Sequence, residues 1–476
     1  MNGGDRIPRV AVVGGGISGL AAAHRLVELS RARNRPIDLH LLETSPRLGG
    51  VIATERSDGF LIEAGPDSFL SEKPAALDLC QRLGITDRLV RTREEFRRTY
   101  VVRRGTLHAL PDGFLLMAPT QLWPLATTRL FSWPGKLRMA CDLLLPRGPG
   151  GDESLARFVT RRLGREALER VAQPLVGGIY TADPDRLSLA ATMPRFLAME
   201  REQRSVILAM WRQRRRTAAA PADGSGARWS LFLSFDSGLQ CLVDRLAQQL
   251  PEGVAQLGQA ARALAPSASG WQLDGTAYDA TIVALPAHAA AALVRPTHAP
   301  LADDLAAIAY ASTATVSLGF RREDIPHPLN GFGFVVPHAE RRDLLAGTFS
   351  SLKYPGRAPA DAVLVRAFVG GALRPELLDL DDAELIARVR HELGDLLGVH
   401  AHPVLTRVAR WPQTMPQYHV GHLDRVARIR QHLAGLPRLH LAGNAYGGVG
   451  IPDCIHSGET AAEAVMDEIE SRRGAG

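Results

Sequence analysis

Glycines at positions 14, 16 and 19 stand on a G-x-G-x-x-G spacing, and the chemistry such a spacing serves is the capture of a pyrophosphate. Gly14 allows a tight turn, Gly16 lets a phosphate come close to the backbone, and Gly19 lets a helix pack closely on the preceding strand. Ile17 and Ser18 then offer free backbone N–H groups at the positive end of a helix dipole. Glu43 supplies the other half of the chemistry, since a carboxylate there can accept both hydroxyl protons of a ribose. Other reactive groups are scattered. Cys80, Cys141, Cys241 and Cys454 show no C-x-x-C spacing, which argues against zinc and against a disulfide framework. His419 and His422 lie close in sequence, but no cysteine or carboxylate joins them, so no metal site is expected.

The elements that must bring these residues together can be read around them. Arg9-Val-Ala-Val-Val13 is the apolar, β-branched run of a buried parallel strand. Ile17 to Leu29 has the Ala/Leu composition and period of a helix, Ser30 to Pro36 is a polar loop, and Asp38 to Glu43 reads as a second strand ending on the acid. That order predicts a mixed α/β protein around a Rossmann-like dinucleotide domain. At 476 residues the chain is too long for one ordinary core. Its 46% hydrophobic and 22% charged residues are those of a globular protein. The net charge of +6 and pI near 9.4 come almost wholly from arginine, lysine occurring only at 73, 136 and 353. No nucleic-acid module or aromatic-interleaved basic repeat accompanies the charge, so nucleic acid is not an expected partner. No stretch has the apolar length of a membrane span, and Met1 to Pro8 lacks an apolar signal core, so a cytoplasmic location is expected. Thr217 to Ala227 reads as a loop. Val254–Leu257, Trp271–Leu273 and Ala280–Pro286 read as strands of a meander closing on the nucleotide sheet.

Beyond Glu43 runs Thr44-Ser-Pro-Arg-Leu-Gly-Gly50, in which Arg47, Gly49 and Gly50 suit a second phosphate contact and a close backbone pass. This segment resembles that of the flavoprotein family that includes amine oxidases and phytoene desaturases. Three later motifs narrow the resemblance to the protoporphyrinogen/coproporphyrinogen oxidases: Glu63-Ala-Gly-Pro-Asp-Ser-Phe69, Gln173-Pro-Leu-Val-Gly-Gly-Ile-Tyr-Thr-Ala-Asp183, and Pro416-Gln-Tyr-His-Val-Gly-His422. The likeness runs in order from Gly14 to Gly458.

The resemblance implies FAD as cofactor. It puts Gly65, Pro66, Asp67 and Ser68 at the flavin end, Ala261 against adenine through its backbone, and Trp411 over the ring. Gly443 falls in a strand–turn segment, and Val449, Gly450 and Ile451 reach the flavin pyrimidine at the start of a helix. For the substrate it implies Gly178, Thr181 and Ala182 on the pocket floor and Val335, Phe349 and Phe368 facing a macrocycle. The family's propionate-binding arginine is replaced by Thr99, with Arg98 one residue away. No catalytic side chain is expected, because the flavin carries the chemistry.

The expected activity is six-electron oxidation of a porphyrinogen by dioxygen with release of peroxide, a step in haem synthesis. Protoporphyrinogen IX is favoured because Thr99 removes a cation, and coproporphyrinogen III is the alternative. The rivals are a flavin amine oxidase, disfavoured by the absence of lysine after Lys353, and a non-catalytic FAD-binding scaffold. The expected domains are an FAD domain from 1–75, 228–300 and 410–476, a substrate-sheet domain from 85–110 and 301–409, and a helical insertion from 111–227. The insertion's greasy, basic start, including Leu116, Met117, Trp123 and Trp133, suggests a membrane surface as a partner. A homodimer and hand-over of product to the next haem-pathway enzyme are further expectations of the resemblance.

Overall fold

A computed structural model describes residues 6–111, 114–115, 118–119, 122–219, 231–268 and 270–474. Leu116, Met117 and residues 220–227 of the segment expected as a loop lie outside the described residues, while 217–219 close the helix Val206–Ala219 instead of opening that loop.

The apolar run Arg9–Val13 becomes the middle strand of a five-stranded parallel sheet. The strand order is Ala255–Leu257, Asp38–Glu43, Arg9–Val13, Ala280–Val283, Leu439–Leu441. Its members come from the two ends and the middle of the chain, as a discontinuous Rossmann-like sheet requires. Helix Ile17–Ala32 covers one face beside the last helix, Ile451–Gly474. The two pass so closely that a Cβ on Gly458 would come within 2.1 Å of the Ser18 carbonyl oxygen. The meander is built from other strands than the sequence suggests. The meander consists of Leu264–Pro266, Trp271–Leu273 and Thr276–Tyr278, while Ala255–Leu257 and Ala280–Val283 are parallel strands of the main sheet. At three and four residues, these strands are too short for pattern to separate the two cases.

A seven-stranded sheet forms the second body. Its order is Leu405–Pro416, Tyr310–Arg321, Ala362–Gly370, Leu344–Phe349, Gly333–Val335, Thr99–Arg103, Thr106–Ala109, antiparallel except where Gly333–Val335 runs parallel to Thr99–Arg103. Leu405–Pro416 is one continuous strand, so the expected boundary at 410 falls inside a hydrogen-bonded ladder. One face buries Tyr100, Val102, Phe334, Phe349, Val365, Ala367 and Val369 with Leu385, Val389 and Leu393 of helix Asp382–Leu397. The other face looks toward the nucleotide domain and the helical insertion.

The insertion has its own core of Phe158, Val159, Val171, Phe196 and Met210, which also takes in Val101 and Val335 from the sheet and Tyr418. Arg162 lies at its centre with no exposed surface. Its guanidinium donates to the Asp142 carboxylate at 2.6 Å and to the carbonyls of Pro146, Asp142 and Arg204. Asp142, equally buried, also accepts from Ser205 Oγ and the Ile207 N–H. A buried ion pair with every partner satisfied is compatible with a stable core and costly to break.

Candidate cofactor and substrate site

The turn between the first strand and helix carries out the division of labour expected of its glycines. A Cβ on Gly19 would come within 1.8 Å of the Gly14 carbonyl oxygen, so helix and turn touch there. A Cβ on Gly16 would meet no protein atom within 4 Å, so that side of the backbone faces open space at the helix N-terminus. Such a cradle fits a pyrophosphate. Glu43 stands at the tip of the neighbouring strand, its carboxylate accepting from the Gly15 N–H at 2.6 Å and the Ser45 N–H at 2.8 Å. Two bonds leave acceptor capacity for a ribose, since an ionised carboxylate has about four lone-pair sites. The Gln259 N–H donates to the Glu43 carbonyl at 2.9 Å, bringing the loop of Ala261 alongside; Ala261 itself packs partly buried on the neighbouring core. Arg47 spends three donor contacts on the carbonyls of Leu48, Gly50 and Ile52. It therefore shapes the Gly49–Gly50 turn, which lies against the glycine loop through a Gly49 N–H to Gly15 carbonyl bond of 2.8 Å.

Farther along, the turn Ala64–Ser68 is clamped onto the second sheet. The Ala64 carbonyl accepts from Trp411 Nε1 at 2.9 Å, Thr315 Oγ1 at 3.0 Å and Arg366 Nη2 at 3.2 Å, donors from three adjacent strands. Arg366 Nη2 also donates to the Gly65 carbonyl. Asp67 is ion-paired with Lys353 at 2.9 Å and accepts from Ser68 Oγ at 2.6 Å. Burial works to raise its pKa, but Lys353 and Arg366 prevail and hold the carboxyl well below the usual range. Asp67 is thus committed to protein partners, and backbone at Gly65–Pro66 is what the turn offers a ligand. Sequence reading missed Arg366 and the Lys353 pairing; the partners lie 301 and 286 residues away from the turn, beyond the reach of any local pattern.

The third wall is the loop leading to the last helix. Gly443 donates its N–H to Ser457 Oγ at 3.1 Å. The Tyr418 hydroxyl donates to the Asn444 carbonyl and accepts from the Gly448 N–H at 3.0 Å, while its ring stacks on His422 with centroids 4.0 Å apart. The Pro-Gln-Tyr-x-x-Gly-His motif therefore works as a brace for the loop. Val449 packs against the insertion core, and Ile451 turns its side chain into the nucleotide core, leaving the 449–451 backbone as the ligand-facing part. Tyr180, at the end of helix Gln173–Tyr180, has its pKa raised to about 12 by burial and then by Asp453, so it stays a neutral phenol.

Register decides which substrate residues share a face. The pairings Val101↔Val335, Val335↔Ala346, Ala346↔Phe368 and Phe368↔Thr315 form an apolar row across the sheet. Beside it runs a second row, Thr99↔Gly333, Gly333↔Thr348, Thr348↔Arg366. Val335, Phe368 and Thr99 thus lie on the face toward the nucleotide domain and insertion. Phe349 does not. It is fully buried on the opposite face beside Val365 and the helix-side core, and Thr348 takes the place expected for it. Gly178 approaches this face, a Cβ there lying 3.9 Å from Val335. Thr181, in a left-handed conformation, holds the Ala372 N–H through its carbonyl, whereas Ala182 is buried in the insertion core and leaves the floor. Arg98 is exposed just before the strand, so it does not stand in the row with Thr99.

Comparison with known proteins shows what the whole chain is similar to. The family of flavin containing amine oxidoreductases matches residues 17–466. Coproporphyrinogen III oxidase of Bacillus subtilis is 37% identical, covering 98% of this chain and 100% of that protein. The chloroplastic protoporphyrinogen oxidase of Nicotiana tabacum is 30% identical over 95% of this chain and 84% of its own. Among solved structures, a protein of Exiguobacterium sp. 255-15 provisionally named protoporphyrinogen oxidase superposes with a TM-score of 0.85 at 33% identity, covering 98% and 100% of the two chains.

Proposed function

Because the chain belongs to the family of flavin-containing amine oxidoreductases, we propose that it is an FAD-dependent porphyrinogen oxidase that takes six electrons from its substrate and delivers them to dioxygen, forming peroxide. One observation carries the reading: the dinucleotide cradle is joined through the Ala64 carbonyl to a sheet face whose apolar row, Val335, Ala346 and Phe368, suits a large flat ring. FAD, when bound, supplies the electron acceptor that the side chains lack. Gly14, Gly16, Gly19 and Glu43 hold its nucleotide end, and Gly65, Trp411 and the 449–451 backbone hold its ring end. Gly178 and helix Gln173–Tyr180 close over the substrate face and keep water from it. Lys353, the last lysine in the chain, is occupied by Asp67, which weakens the amine oxidase alternative.

Two porphyrinogens fit the reading. Thr99, standing on the substrate face in place of a cation, supports protoporphyrinogen IX. The greater identity to the B. subtilis coproporphyrinogen III oxidase, 37% against 30% for the plant enzyme, supports coproporphyrinogen III. Anaerobic addition of either substrate to the yellow holoprotein should bleach the flavin, and kcat/KM for both decides between them. A flavin that neither substrate bleaches refutes the oxidase reading.

The outer side of the insertion supports docking to a lipid surface. Trp123 and Leu144 are 78% and 80% exposed, Trp133 and Leu137 stand out beside them in sequence, and Lys136 lies over the Trp133 ring. No helix among the described residues is long and apolar enough to cross a membrane, so the contact is with the surface. Cosedimentation with anionic vesicles, lost in a Trp123→Ser/Trp133→Ser variant that keeps its flavin, is the expected result; equal binding by the variant refutes it.

A further inference from the structure

Behind the Ala64–Ser68 turn lies a group of charges that the binding of a nucleotide does not require. Glu63, Arg357 and Arg366 are 5%, 2% and 3% exposed, and Asp67 and Lys353 complete the group. Three cations lie within electrostatic reach of two carboxylates, Arg357 and Arg366 each acting on both Glu63 and Asp67. Arg357 is anchored by Ser234 Oγ and the Phe235 carbonyl, and Glu63 by Thr54 Oγ1 and the Leu239 N–H. Among the described residues neither Arg357 nor Arg366 makes a direct ion pair, whereas Lys353 holds Asp67, and of the two arginines Arg366 is the one that touches the turn. Its guanidinium reaches the carbonyls of Ala64 and Gly65, lies 4.8 Å from the Phe368 ring centroid, and leaves its buried Nε without a partner. A guanidinium does not lose its proton in a protein, so this charge is permanent and, in a water-poor setting, poorly screened.

We infer that Arg366 is a positioning residue with an electrostatic duty: its buried charge, in excess over the carboxylates around it, biases FAD bound against the Gly65 turn toward the reduced form. The inference rests on the proposed cofactor, because two-electron reduction of a flavin adds electron density and favours a nearby cation. A purely mechanical clamp would be shared with Thr315, which donates to the same carbonyl but carries no charge.

The test is the two-electron midpoint potential of the purified holoprotein, measured against a reference dye. Arg366→Met should make reduced FAD at least tenfold less favoured relative to oxidised FAD, a drop of about 30 mV for a two-electron couple. Asp67→Asn, which removes a negative charge from the same group, should shift the potential upward. Thr315→Val should leave it where the wild type has it. Equal shifts in Arg366→Met and Thr315→Val, or shifts of the same sign in Arg366→Met and Asp67→Asn, overturn the inference. If Arg366→Met does not accumulate as folded protein, Asp67→Asn decides alone, and an unchanged or lowered potential overturns it. Failure of the wild type to bind FAD would instead remove the proposed function.

Discussion

Replacing Gly16 by alanine separates what the ligand needs from what the fold needs. At φ −68° and ψ 177° the position accepts an L-residue, and its Cβ would meet no protein atom within 4 Å. Losing glycine flexibility in the unfolded chain and losing a fair helix N-cap oppose each other, so the effect on the apoprotein is within about 1 kcal/mol. The added methyl group points into the space a pyrophosphate must enter. Displacing the phosphate from one or two backbone N–H groups removes charge-assisted bonds of about 1.5–3 kcal/mol each, or roughly tenfold to more than a thousandfold in Kd. Gly19→Ala is the contrasting case: its Cβ falls 1.8 Å from the Gly14 carbonyl oxygen, so strand and helix must separate and the apoprotein itself loses stability. The assay is paired, with thermal unfolding of both apoproteins and FAD affinity by flavin fluorescence. A Gly16→Ala protein that binds FAD as the wild type does refutes the placement of the pyrophosphate.

The buried charges and the ribose-binding acid give further measurable outcomes. Glu43→Ala should lose at least tenfold in FAD affinity, since ribose hydroxyls lose their acceptor; full occupancy in dilute FAD, read from the absorbance spectrum, contradicts this. Arg162→Ala should cost about 3–5 kcal/mol in denaturant unfolding by stranding buried Asp142, and an Arg162→Met/Asp142→Leu pair should recover only part of the loss, because Ser205 Oγ and the Ile207 N–H then lack their acceptor. Burial, then Arg425 and His419, push the His422 pKa down to about 4 from 6.5. The unfolded chain therefore takes up a proton first on acidification, and stability that is complete above pH 6.5 declines as pH falls toward 4, by about 3 kcal/mol at the acid end. His422→Phe, which keeps a ring on Tyr418, should flatten that part of the Tm profile between pH 6.5 and 4; an unchanged profile contradicts the assignment.

The nucleotide half was legible because local pattern and function coincide there. Strand, glycines, helix and Glu43 occur in order within one short stretch, and each signal has a single physical reading. The substrate face was legible only as a region. Phe349 and Thr348 are neighbours, and a one-residue difference in register sends a side chain to the opposite face. The ladder that settles it includes an irregularity between Leu344 and Ala346, which no count of apolar residues reveals. The motif around Trp411 marks it as a residue near a ring, but its indole bond to Ala64 depends on a pairing across 347 residues. Arg366 sits in a strand of apolar neighbours, where sequence alone suggests no task for a cation.

The order of strands in the parallel sheet also sets a schedule for synthesis. The ribosome releases Arg9–Val13, Asp38–Glu43 and helix Ile17–Ala32 first, but the sheet's last strand, Leu439–Leu441, and the helix that packs on Ile17–Ala32 emerge last. About 400 residues of translation lie between them, which at roughly 5–20 residues per second is on the order of 20–80 s. Throughout that interval the apolar face of the first helix has no Gly458 to close against, so the nascent chain carries an exposed hydrophobic surface that invites chaperone contact. Stable capture of a dinucleotide belongs after the helix Ile451–Gly474 has emerged, and production in cells short of flavin or chaperone should fail at this stage first.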